Sequence, residues 1–102
     1  MAMQYDVLAS QARTNDGQLL DQNGNALPAV RVKAIYIVPT PSTAGSVAFK
    51  DGGSSGLTKF TINLPNNTTG GEYFLLPGEG VLFRTNVYVD ITTVASVMVW
   101  YG

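Results

Sequence analysis

The chain has no cysteine and no histidine. Without thiols it can form neither disulfides nor thiolate metal sites, and without imidazole it lacks both the commonest zinc ligand and the commonest general base. The seven Asp and Glu carboxylates are the strong metal ligands that remain, so no metal or other cofactor is expected. Charge is scarce as well, at 13% of residues against about 25% in an ordinary soluble domain. With a net charge of −1 and a pI near 5.0, the chain carries no electrostatic footprint for a phosphate backbone, and nucleic acid is not an expected partner. Arg31 and Lys33 stand two apart on one strand, too few to line a groove. No apolar run reaches the roughly 18 residues of a spanning helix. The opening Met1-Ala2-Met3-Gln4-Tyr5-Asp6 has no basic region leading into an apolar core, so neither secretion nor membrane insertion is expected. No window shows the i, i+3, i+4, i+7 spacing of an amphipathic helix.

What the chain does have is uncharged polarity. Ser, Thr, Asn and Gln total 27 of 102 residues, and such surfaces can pack together without desolvating ions. This composition suits a subunit of a larger assembly. The length sets one domain, with a loop-rich segment at 1–29 and a β core at 30–102. Residues 5–9 form a weak apolar stretch, followed by two turn signatures, Thr14-Asn15-Asp16-Gly17 and Asp21-Gln22-Asn23-Gly24-Asn25. Val30 to Val38 is rich in β-branched residues; its first half alternates and its second half is apolar on both faces. Ser46 to Lys50 and Thr58 to Leu64 read as a hairpin around Asp51-Gly52-Gly53. Tyr73 to Leu76 is a short strand, and Pro77-Gly78-Glu79-Gly80 is expected to reverse the chain. Val81 to Ile91 alternates throughout and reads as one half-buried strand; Ala95 to Tyr101 is the last. About seven short strands separated by Gly- and Pro-rich turns predict an all-β fold, an antiparallel β-sandwich or small barrel, with a jelly-roll-like path as one form.

Three motifs invite chemistry. Gly52, Ser54 and Gly56 match G-x-S-x-G, the spacing at which a serine hydrolase displays its nucleophile. That elbow needs a base and a strand-to-helix turn. Lys50 and Lys59 are the available bases, and residues 58–64 alternate as a strand, so Ser54 is expected to be a turn residue and the protein not an enzyme. Asp21, Asn23 and Asn25 resemble the opening of a calcium loop, but the glycine comes two places early and position 32, where the closing glutamate belongs, is Val. Asn67-Thr68-Thr69 is a formal glycosylation acceptor without meaning in the absence of secretion.

A strand with one wet face needs only every second residue apolar, yet Ala34 to Val38 and Val97 to Tyr101 are apolar on both faces. Three covers are open: residues 10–29 folding across, a neighbouring copy, or another protein. Val99-Trp100-Tyr101 would be an exposed aromatic edge unless covered, and Trp and Tyr dominate interface cores; this favours a contact between molecules. We assign Phe60, Ile62, Phe83, Val87, Val89, Val97 and Val99, with Tyr101, to the core. Ile35, Ile37, Met98 and Trp100 are assigned to the interface.

Val32 to Pro39, Val47 to Gly53, Pro77 to Phe83 and the closing Trp100-Tyr101-Gly102 resemble segments of small virion proteins of tailed phages, particularly marine and cyanobacterial ones. The likeness covers roughly residues 30 to 102 and leaves 1–29 without a counterpart. It implies an all-β subunit of a head or tail, such as a capsid decoration or cement protein, assembled in the host cytoplasm and residing in the virion. Its partners would be the major capsid protein or other virion proteins and further copies of itself. The alternatives are a carbohydrate-binding host-recognition module, using exposed Tyr73, Tyr88 or Trp100, and a tail or head-to-tail joining subunit.

Overall fold

The β-branched run starting at Val30 forms the longest strand of a β-sandwich. The computed structural model describes residues 7–66 and 70–102; the opening hexapeptide and the Asn67-Thr68-Thr69 acceptor lie outside the described residues. The strands in chain order are β1 (Leu8–Ala9), β2 (Gly17–Gln18), β3 (Val30–Pro39), β4 (Gly45–Asp51), β5 (Leu57–Leu64), β6 (Glu72–Leu75), β7 (Val81–Phe83), β8 (Tyr88–Thr92) and β9 (Val94–Tyr101). No helix occurs among the described residues. One sheet runs β1-β9-β3, with β6 and β7 both lying along the far side of β3. The other runs β2-β8-β4-β5, and every pairing is antiparallel.

The core lies between the sheets. Val32, Ile35, Ile37, Phe83, Val97 and Val99 enter from the first sheet and Val47, Phe49 and Val89 from the second, all fully buried. Phe60 and Ile62 are half-buried against this core, and Phe60 stacks on Phe49 with ring centroids 4.8 Å apart. Tyr101 and Val87 are also buried.

Ile35 and Ile37 therefore belong to the core and not to the outer face where the sequence places them. The reason is a β-bulge. Opposite β9, Val32 pairs with Tyr101 and Ala34 with Trp100, so Lys33 is one residue extra. Uninterrupted alternation from Val30 and Val32 would send Ile35 and Ile37 outward; the inserted residue resets the phase. Ala34, Tyr36 and Val38 take the outer positions.

Two further expectations are corrected. Pro77-Gly78-Glu79-Gly80 does not reverse the chain: β7 resumes along β3 in the direction that β6 had taken. The Leu76 amide still donates to the Lys33 carbonyl (3.0 Å), and the Gly80 amide closes a local turn on Pro77 (3.1 Å), so the five residues only bow out from the edge. Gly80 rejoins it at φ 93° with its Cα against the Val32 backbone, where a Cβ has no room. The stretch from Val81 to Ile91 is not one strand either. It serves the first sheet as β7, crosses over at 84–87, and serves the second as β8, while Phe83, Val87 and Val89 all keep facing inward.

Residues 8–27 neither float nor cover an outer face. They cross from the free edge of β9 to the free edge of β8 and close that side of the sandwich. Ser10 and Arg13 bond the β9 backbone at Val99 and Val97, Leu19 donates to the Val87 carbonyl, and Leu27 donates to that of Leu19. The fully buried side chains of Leu19 and Leu27 plug the gap.

Candidate functional site

The two outer faces of the sandwich differ in chemistry. On the β2-β8-β4-β5 sheet, alternation places Ser46, Ala48 and Lys50 of β4 beside Tyr88, Asp90 and Thr92 of β8 and Thr61 and Asn63 of β5. This face is largely polar and holds a Lys50–Asp90 ion pair at 3.5 Å. On the other sheet, Met98 and Trp100 of β9, Ala34, Tyr36 and Val38 of β3, and Tyr73 and Leu75 of β6 lie side by side. Tyr73 and Leu75 are 58% and 74% exposed, Tyr36 is 36% exposed, and Trp100 and Met98 are half-buried.

Register builds this face. Ala34 is flanked by Trp100 on one side and Leu75 on the other, and Tyr36 by Met98 and Tyr73. The short Ala34 side chain makes a floor between larger neighbours. Trp100 and Tyr73 meet across it edge-to-face, with centroids 5.7 Å apart and planes at 70°, an arrangement in which the ring quadrupoles attract. Above Ala34 opens a cavity of about 580 Å3, walled by Val7, Tyr73, Leu75, Leu76 and Trp100, with Lys33 and Glu79 at its polar border. Its size falls within the roughly 300–1,000 Å3 of ligand pockets. The sequence pointed to Met98 and Trp100. It missed Tyr36 and Leu75 here because the bulge that turns Tyr36 outward and the interrupted path of the β6–β7 edge lie in the backbone, not in composition.

The other candidate chemistries resolve into local structure. Ser54 lies in the β4–β5 loop, exposed, with Gly52 and Gly53 at φ 106° and 95° and a Gly56-to-Gly53 backbone bond of 2.9 Å. Strand β5, not a helix, follows it. The Lys50 ammonium donates to the Ser54 carbonyl (3.2 Å) and pairs with Asp90, so its charge is engaged away from the Ser54 hydroxyl. One Asp21 carboxylate oxygen accepts the amides of Asn23 (2.8 Å) and Asn25 (2.9 Å), making the segment a self-capped turn. No cluster of three or more acidic residues that could hold a metal ion occurs among the described residues.

Two polar anchors went unread in the sequence. Arg13 grips three carbonyls, those of Asn15 (2.9 Å), Asp16 (2.9 Å) and Gln18 (3.0 Å), and so shapes the turn into β2. Asp51, at the end of β4, accepts the amides of Arg84 (2.8 Å), Thr85 (2.9 Å) and Asn86 (3.4 Å), fastening the β7–β8 crossover to the opposite sheet. The Arg84 amide, with those of Thr85 and Asn86 and the Lys59 charge, holds the Asp51 carboxyl below its usual range against the opposing effect of partial burial.

No protein-family model, curated protein or solved structure matches the chain.

Proposed function

We propose that the chain is a non-enzymatic structural subunit of a phage virion, a capsid decoration or cement protein that docks on neighbouring virion proteins through the outer face of β9-β3-β6. The observation carrying this reading is the contrast between the faces: one is polar, and the other presents Trp100, Tyr73, Tyr36, Met98 and Leu75 around an apolar depression. A contiguous exposed apolar patch on a small domain marks a contact surface. The virion itself comes from the resemblance of residues 30–102. The mechanism is added interface area. A standard interface of roughly 1,600 Å2, half of it apolar, offers on the order of 20 kcal/mol gross at about 25 cal/mol per Å2, before the costs of ordering.

A carbohydrate-binding module is the second reading, favoured by the aromatic walls and the Lys33–Glu79 border of the cavity. The perpendicular setting of Trp100 and Tyr73 denies a sugar chain one flat platform across both rings.

Particle incorporation of single variants tests the first reading. Trp100→Ala and Tyr73→Ala should each reduce incorporation, by about 2 kcal/mol where the ring is a true anchor, with the circular dichroism of the free chain unchanged. Ser54→Ala should incorporate like the parent. Undiminished incorporation of both aromatic variants overturns the docking face, and loss of glycan-array binding in those variants would transfer the site to the second reading.

A further inference from the structure

Among the described residues, the sandwich is closed on one side and open on the other. Residues 8–27 seal the β9 and β8 edges, and Leu19 and Leu27 fill the gap there. On the opposite side the sheets end in β6–β7 and in β5. Edge strands are templates for further pairing unless they are short, interrupted, bulged or charged. The β6–β7 edge is interrupted by residues 76–80 and begins with Glu72. Strand β5 is eight residues long and pairs with β4 along one edge; no described residue pairs with the other.

Within β5 the protection is local. Opposite β4, Phe49 pairs with Phe60 and Lys50 with Thr58, so Lys59 is a bulged residue, and it is charged and exposed. Pro65 follows the strand. Between these two stops lies Phe60-Thr61-Ile62-Asn63-Leu64, which has no charge, no proline and no glycine. Phe60 and Ile62 point toward the core yet remain half-buried, and no strand among the described residues lies along their outer flank. Thr61 and Asn63 are exposed on the polar outer face.

We propose that this segment is a self-association edge, pairing antiparallel with the same segment of a second copy about a two-fold axis at Ile62. In that register Phe60 opposes Leu64 of the other copy and Ile62 opposes its own counterpart, so apolar cross-strand pairs extend both cores. Thr61 opposes Asn63 of the other copy, a hydrogen-bonding pair on the outer face. Lys59 and Pro65 fall just outside the ladder and fix its length. An isologous contact of this kind closes on itself as a dimer and joins two four-stranded sheets into one of eight. The second copy is the fitting occupant because the segment is its own complement. It carries no charge to select a partner of opposite sign. The aromatic face of the other sheet stays free, so this contact is separate from virion docking.

Sedimentation equilibrium over a concentration series at neutral pH tests the proposal with two double variants at exposed positions. The parent should show a reversible monomer–dimer equilibrium. Thr61→Lys/Asn63→Lys sets like charges opposite one another twice and should raise the dimer Kd at least tenfold. Thr61→Lys/Asn63→Glu sets each lysine opposite a glutamate of the other copy and should dimerise at least as tightly as the parent. Trp100→Ala should leave the dimer unchanged, which separates this contact from the docking face. A parent chain that stays monomeric at the highest concentration reached overturns the proposal. So does a double-lysine variant that dimerises like the parent, or a Lys/Glu variant that dimerises less tightly.

Discussion

Asp51 shows how one side chain can hold two sheets in register. Its carboxylate ends β4 and takes the amides of residues 84 to 86, the point at which the chain leaves one sheet for the other. Those amides have no strand partner at the crossover, so a carboxylate that accepts several of them is stabilised in its charged form. The folded-state pKa thus lies below the unfolded value of about 3.9. The stability this contributes is full above the ordinary carboxylate range and is lost as pH falls through the folded value. Asp51→Asn keeps one acceptor oxygen and loses the charge. At neutral pH we expect it to be less stable by about 1 kcal/mol, since the amides are partly solvated. Thermal melts from pH 7 to about pH 3 should show the two proteins converging on the acid side; a constant gap would mean that the charge is not what matters. Nothing in the sequence marked this role, because Asp51 beside two glycines reads equally well as an ordinary turn residue. Arg13 is the same case: its three carbonyl partners are set by the path of a loop that has no periodicity to read.

At the scale of elements, the last strand carries the clearest test. Val97, Val99 and Tyr101 face the core, and Met98 and Trp100 face out. Val99→Asp should abolish the fold, because it buries an unpaired carboxylate between two sheets, whereas Trp100→Ala should leave the β spectrum intact. The reverse pair of outcomes in circular dichroism would invert the faces. Alternation made this strand legible, since each side chain meets either a dry or a half-wet environment with a period of two. The same rule fails at β3, where the extra residue at Lys33 adds no compositional mark and moves Ile35 and Ile37 inward. It also misleads at residues 81–91, where the inward phase of Phe83, Val87 and Val89 persists although the strand changes sheets. A chain can keep its burial rhythm through a crossover, so rhythm alone does not count strands. The all-β class was thus readable, and so was half of the aromatic face. The bulge, the split strand and the bowed edge are backbone events settled by tertiary pairing.

For the whole molecule, scarcity of charge governs behaviour in solution. With 6 basic and 7 acidic residues and no histidine, repulsion between molecules is weak at any moderate pH and vanishes near the pI of 5.0. Association through either of the two proposed contact surfaces, the aromatic face or the β5 edge, then meets little charge repulsion. Light scattering of concentrated protein should show association growing as pH is lowered toward the pI and reversing above it. A monodisperse monomer at that pH would count against both contact surfaces.

The closing segment has a mechanical consequence as well. Leu8 is the register partner of Tyr101, and the bonds from Ser10 and Arg13 continue along β9 to Val99 and Val97. Residues 8 and 101 therefore leave one ladder from the same end. Tension drawn between them loads those bonds one at a time and peels the segment away like a zip. Shear along β9 and β3 meets seven paired positions together. The molecule yields readily to a pull drawn between residues 8 and 101 and resists a load directed along the β9–β3 ladder.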